Sequence, residues 1–236
     1  MLCHKDLISP SSHSMYNIDR IKYGKGIEMK KLSLLLLVSI IMISLLSSSV
    51  AFAQANTPPE ILKELGVLKG DKNGDLMLDS YLMRQDMVVL ISRLYKEESK
   101  ATTYLLPAKF SDLDENNTYY HGFIQWAVDK NLIIGMDDGS FGFGRNVKVR
   151  DFQVLLLRVL DYREESGLYD SVPEIAEKLG LMKGINVNPN GYLMRRTMAE
   201  MTLNALKLNK KGSPLTLAEV LELDLTKYEN TANNER

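Results

Sequence analysis

The chain has 236 residues, 45% of them hydrophobic, with a formal net charge of −1, one cysteine and three histidines. A near-neutral chain without a basic block leaves no electrostatic footprint for nucleic acid or an anionic membrane surface. One Cys and three His exclude a disulfide framework and a Cys/His zinc set.

Taken in chain order, residues 1–28 read as an extension outside the fold, with Met29 as the expected translation start. Residues 29–53 then carry the three parts of a secretory signal. Met29, Lys30 and Lys31 are its basic start, Leu32 to Leu46 its apolar run, and Ala51-Phe52-Ala53 its small-x-small cleavage site. Cleavage is expected after Ala53, and no Cys follows the apolar run to accept a lipid. The product would be exported and would carry no membrane anchor. It would hold 23 basic and 27 acidic residues, with His121 as its one histidine, in the run Tyr119-Tyr120-His121-Gly122. No nucleophile-base pair can be assembled from that set, so no catalytic residue, cofactor or metal is expected.

An internal repeat organises the remainder. Pro59-Glu60-Ile61 and Leu65-Gly66-Val67-Leu68-Lys69-Gly70 return 114 positions later as Pro173-Glu174-Ile175 and Leu179-Gly180-Leu181-Met182-Lys183-Gly184. Tyr81-Leu82-Met83-Arg84 returns as Tyr192-Leu193-Met194-Arg195. Each copy is laid out as a short helix, a Gly-bounded loop and a longer helix. The longer helices are marked by Met87, Leu90 and Leu94, and by Met198, Met201 and Ala205, at helical spacing. The Gly just past each first helix fits a left-handed C-terminal cap.

A third copy lies between these two. It opens at Phe110-Ser111-Asp112-Leu113, carries Phe123, Trp126 and Ala127 on one helical face, turns at Asp137-Asp138-Gly139, and ends in the stripe Phe152, Leu155, Leu156 and Val159. Repeats are therefore expected at 57–98, 109–163 and 171–209. Glu97 to Ala108 and Arg163 to Asp170 are expected as polar connectors. A terminal half-repeat and polar tail follow at 213–236, where Leu217-Ala218-Glu219-Val220-Leu221 echoes Ile175 to Leu179 and caps the array.

The middle copy resembles the S-layer homology (SLH) module of bacterial surface proteins. It follows that family's order of Phe-x-Asp, an aromatic helix, Asp-Gly-x-Phe and a Thr-Arg-Ala-Glu helix start. The last motif aligns with Met83-Arg84-Gln85-Asp86, Lys148-Val149-Arg150-Asp151 and Met194-Arg195-Arg196-Thr197. The resemblance implies an all-α fold of three SLH-like helix-loop-helix repeats in a pseudo-trimeric bundle. It also implies a secreted, non-enzymatic protein of the cell wall or cell surface. The partner would be secondary cell-wall polysaccharide, pyruvylated forms included, or another peptidoglycan-linked glycan. The alternative is a set of degenerate modules serving as a protein-interaction or structural component of the envelope.

On that resemblance the candidate glycan contacts are Arg84, Arg195, Lys148, Arg150, Trp126, Asp138 and Gly139. An Arg guanidinium can grip a ketal carboxylate bidentately and stays charged at any working pH. Each candidate also has a plainer reading. Arg84 and Arg195 could pair with surface acids such as Asp86, Trp126 could belong to the core, and Asp138-Gly139 could simply form a turn. Asp86 and Asp151 are expected to favour the N-termini of their helices. Asp71 to Asp75 superficially suggests a calcium loop, but the sixth and twelfth positions are Leu76 and Leu82, where such a loop needs Gly and an acid.

Overall fold

The structure, a computed structural model, describes residues 57–104 and 110–228. The expected signal at 29–53, the extension before it and the tail from Asn230 lie outside the described residues. The helices are α1 Pro58–Glu64, α2 Arg84–Leu94, α3 Glu98–Thr102, α4 Thr118–Asp129, α5 Val149–Val159, α6 Arg163–Gly167, α7 Val172–Leu179, α8 Arg195–Leu206 and α9 Leu217–Val220. Among the described residues there are isolated bridges but no sheet, so the fold is all-α.

The four first helices α1, α4, α7 and α9 end alike. One left-handed residue follows each, Gly66 at φ 73°, Asn131 at 56°, Gly180 at 90° and Glu222 at 54°. The next N–H reaches back five residues: Val67 to the Leu62 carbonyl, Leu132 to Ala127, Leu181 to Ala176 and Leu223 to Ala218, all at 2.8–2.9 Å. This is the bonding of a Schellman cap. The residue that closes each one is buried. Glycine was the expected cap; Asn131, whose short polar side chain tolerates this conformation, and Glu222 do the same work without it.

The connectors are more regular than expected, since α3 and α6 form inside them. Both dock tightly. A Cβ on Gly122 of α4 would lie 2.3 Å from the Ala101 carbonyl oxygen of α3, so only glycine fits that crossing. Glu97, at the start of this connector, accepts hydrogen bonds from Trp126 Nε1 at 2.8 Å and Lys130 Nζ at 2.9 Å.

Packing between repeats is cyclic. Helix α2 packs on α4, α5 on α7, and α8 back on α1. At the centre lie three extended tripeptides, 81–83, 146–148 and 192–194, each just before a long helix. Their bridges pair Met83 with Asn146, Lys148 with Tyr192, and Met194 with Tyr81. The middle residues hydrogen-bond in a ring: Val147 N–H donates to the Leu82 carbonyl at 2.9 Å, Leu193 to Val147 at 2.8 Å, and Leu82 to Leu193 at 2.8 Å. Side chains alternate along an extended segment. Leu82, Val147 and Leu193 therefore point into the core, with Leu193 fully buried.

The loop of the second repeat is held by a residue distant from it in sequence. The Asp112 carboxylate accepts from the N–H groups of Phe141 at 2.7 Å, Gly142 at 2.8 Å and Phe143 at 2.7 Å. Burial works to raise its pKa, but these donors outweigh burial and hold the carboxyl below the usual range.

Leu193→Ala should cost about 2–5 kcal/mol in denaturant unfolding, because it opens a cavity in a hub that three segments share. Asp112 has a native pKa below its unfolded one, so its stabilisation is complete above about pH 4 and drains away as the pH falls through the native pKa. Asp112→Asn should therefore lower stability at pH 7 by roughly 1–3 kcal/mol, and the difference from the natural chain should shrink on acidification.

Candidate glycan groove

The hub sets three helix starts side by side, and from two of them an arginine reaches into the loop of the neighbouring repeat. Arg84, first in α2, donates from Nε to the Phe141 carbonyl at 2.6 Å and from Nη2 to that of Ile134 at 3.1 Å. Arg195, first in α8, does the same in the first repeat's loop, to Leu76 at 2.8 Å and Lys69 at 3.3 Å. Neither pairs with a surface carboxylate, contrary to the plainer reading. They are clasps between repeats, partly or fully buried, and burial pushes both guanidinium groups down from their ordinary value. At the third junction Val149 occupies the equivalent place and is buried.

A groove of about 760 Å³ opens where Arg84 crosses to the second repeat. Its walls carry the cations Arg84, Arg145, Lys148 and Arg158, the single carboxylate Asp151, and the rings of Tyr169 and Tyr192. Arg158 donates to the Leu132 carbonyl at 2.9 Å. Its guanidinium is pushed down by burial and then by the like charges of Arg84 and Arg163, and no carboxylate contributes to the shift. Asp151 accepts from the Tyr169 hydroxyl at 2.8 Å. Burial first, and then this bond, push that phenol up to about 12. Arg84 and Arg158 are bonded to carbonyl groups and Arg145 meets Asp138 at 3.6 Å, so the groove concentrates positive charge that carboxylates balance only in part.

The corresponding space at Arg195 is built alike and finished differently. It measures about 170 Å³ and is lined by Tyr119 and Tyr120, while Asp86 accepts from the Tyr120 hydroxyl at 3.2 Å. Arg93 stands where Arg158 stands in the larger groove, nine positions past the helix start. Glu98 neutralises both Arg93, at 2.8 Å, and Lys69, at 2.6 Å. At the third junction the same position is Asn204, whose amide is bonded to the Leu181 and Lys183 carbonyls at 3.1 and 3.0 Å. The junction between the first and second repeats thus has more space than the one at Arg195 and lacks the carboxylate that Glu98 supplies there.

The candidates read from sequence therefore separate. Arg84 and Lys148 come together in the large groove, and Arg195 lies in the small one. Arg150 turns aside, its guanidinium 4.9 Å from the Tyr169 ring centre and bonded to Asp170 at 3.2 Å. Trp126 is 1% exposed, with its indole N–H on Glu97, so it serves the core and offers no face to a sugar. Asp138 caps the turn through Ser140 N–H at 3.0 Å and meets Arg145 at 3.6 Å, while Gly139 supplies the left-handed turn residue at φ 78°. Asp86 and Asp151 make no side-chain cap; they sit in the first turn and take tyrosine hydroxyls instead. Asp71 accepts from the N–H groups of Asn73 and Asp75, as a turn former does, and no metal-binding cluster occurs among the described residues.

Arg145 and Arg158 were missed in the sequence. Arg158 falls on the second repeat's long helix in line with Arg93, and that register was its one available signal.

Comparison with known proteins agrees with this architecture. Residues 109–147, covering α4, the following loop and the tripeptide up to Val147, match the S-layer homology domain family. The chain is also similar to the Middle cell wall protein of Brevibacillus brevis (strain 47), with 24% identity over 174 residues, or 71% of this chain. That stretch spans 16% of the relative's length. The chain thus carries, within its second repeat, a segment that matches the S-layer homology domain family.

Proposed function

We propose that the protein is a secreted, non-enzymatic component of the cell wall, held there by the groove between its first two repeats, which binds an acidic secondary wall polysaccharide, pyruvylated forms included. The S-layer homology domain and the cell-wall relative support a wall-associated, cell-surface location. The observation that carries the binding reading is the groove's imbalance of four cations to one carboxylate. Partly buried guanidinium groups that are bonded to neutral carbonyls favour an anion that replaces lost solvation. A wall glycan bearing carboxylates is a ligand of that charge. The three repeats would then form a pseudo-trimer around the hub, with one working groove of three.

In this account Arg158 and the part of Arg84 not bonded to the loop meet the carboxylate. Lys148 and Arg145, both exposed, add longer-range attraction that salt screens. Asp138 and Gly139 shape the loop beside the groove.

The test is co-sedimentation of the protein with purified wall sacculi. Retention should fall with added NaCl and should vanish when the secondary polymer is stripped with acid. Arg158→Gln should lower retention about tenfold or more, equivalent to about 1.4 kcal/mol or more, at nearly unchanged stability. Binding that survives stripping would contradict the glycan reading and favour a protein-interaction role.

A further inference from the structure

We propose that the outer face of the central hub is a second carbohydrate subsite, where sugar units adjoining the one in the groove stack on Tyr81 and Tyr192; this rests on the groove reading above.

The hub's alternation of side chains has an outward half. Leu82, Val147 and Leu193 point inward, which leaves their neighbours Tyr81, Met83, Asn146, Lys148, Tyr192 and Met194 on the opposite side, around the ring of hydrogen bonds. The Tyr and Met residues among them are exposed by 41–56%, a concentration of apolar surface at the one place where all three repeats meet. The tyrosine rings meet edge to face, with centroids 5.7 Å apart and planes at 61°. They therefore present two fixed, differently tilted faces. Holding them there serves no core, since the residues between them already fill it.

Three observations select a glycan as the occupant. First, the face is continuous with the groove, because Asn146, Lys148 and Tyr192 line both. A polymer gripped at one unit in the groove has to leave past them. Second, the chemistry matches a sugar, which offers an apolar C–H face to a ring and hydroxyls at its edge. Asn146, Lys148 and the two phenols stand around the platform to bond those hydroxyls. Third, the patch is too small for another protein. Four half-exposed side chains offer on the order of 400 Å², against roughly 800 Å² per partner in a stable protein interface.

The groove and the hub face then have separate tasks. The groove reads charge on one unit, and the hub face reads the length and direction of the chain. Two linked contacts on one polymer also reinforce each other without either being tight.

The experiment titrates the purified protein with acid-released secondary wall polysaccharide, fractionated into single-repeat-unit and multi-repeat-unit fragments. Tyr81→Ala, which removes a ring that does not line the groove, should weaken binding of the long fragments about fivefold and leave the single-unit fragment unchanged. Tyr81→Phe, which keeps the ring, should bind the long fragments nearly as well as the natural chain. Equal effects on both lengths, or on neither, would overturn the hub subsite while leaving the groove reading intact. Failure of both fragments to bind the unsubstituted protein would overturn both. Sedimentation velocity supplies a further arm: a self-associated natural chain made monomeric by Tyr81→Ala would identify a second copy as the occupant and would also overturn the proposal.

Discussion

Three backbone hydrogen bonds, closed on themselves through Leu82, Val147 and Leu193, are the constraint on which the rest of the arrangement depends. Each is ordinary, and their ring is not divisible. Removing any one segment leaves the other two with an unpaired buried group. The ring fixes where three long helices begin, and so brings the first residue of each within reach of its neighbour's loop. The clasps of Arg84 and Arg195 are consequences of that placement. The groove is the gap that one of them spans.

Equivalent backbones carry inequivalent surfaces. At the position nine residues into the long helices, Arg158 meets no carboxylate, Arg93 meets Glu98, and Asn204 closes onto carbonyls. In the segments that follow the first two long helices, Tyr120 and Tyr169 each donate to the first-turn acid, yet Tyr119 and Tyr120 fill one groove while the other stays open. Such differences cost the fold little, because the packing that defines it lies on the opposite faces of the same helices. The architecture can therefore keep its ring while confining charge to one junction.

Much of this was legible from the chain alone. The helical stripes located α2, α5 and α8, and the Gly66 and Gly180 pattern located two caps. The motif alignment found Arg84, Arg195 and the Val149 exception. What could not be read was which group meets which across repeats. Periodicity assigns Arg158 to a face but does not say that Arg84 faces it. Asp112 reaches the N–H groups of residues about 30 positions away, a contact set by chain topology and not by spacing. The caps at Asn131 and Glu222 broke the glycine rule because the buried residues beside them, Leu132 and Leu223, enforce the geometry. Trp126 shows the opposite difficulty, since an aromatic on an amphipathic helix fits a core and a sugar platform equally well until its burial is known.

The central claim, that one groove of three receives an acidic wall glycan, is tested most directly by mapping amide chemical-shift changes as the polysaccharide is added. The account predicts saturable changes at Ile134, Gly135, Lys148 and Gly167, with little change around Lys69 and Tyr119. Changes of similar size and midpoint around Lys69 and Tyr119, or changes confined to that smaller groove, would contradict it.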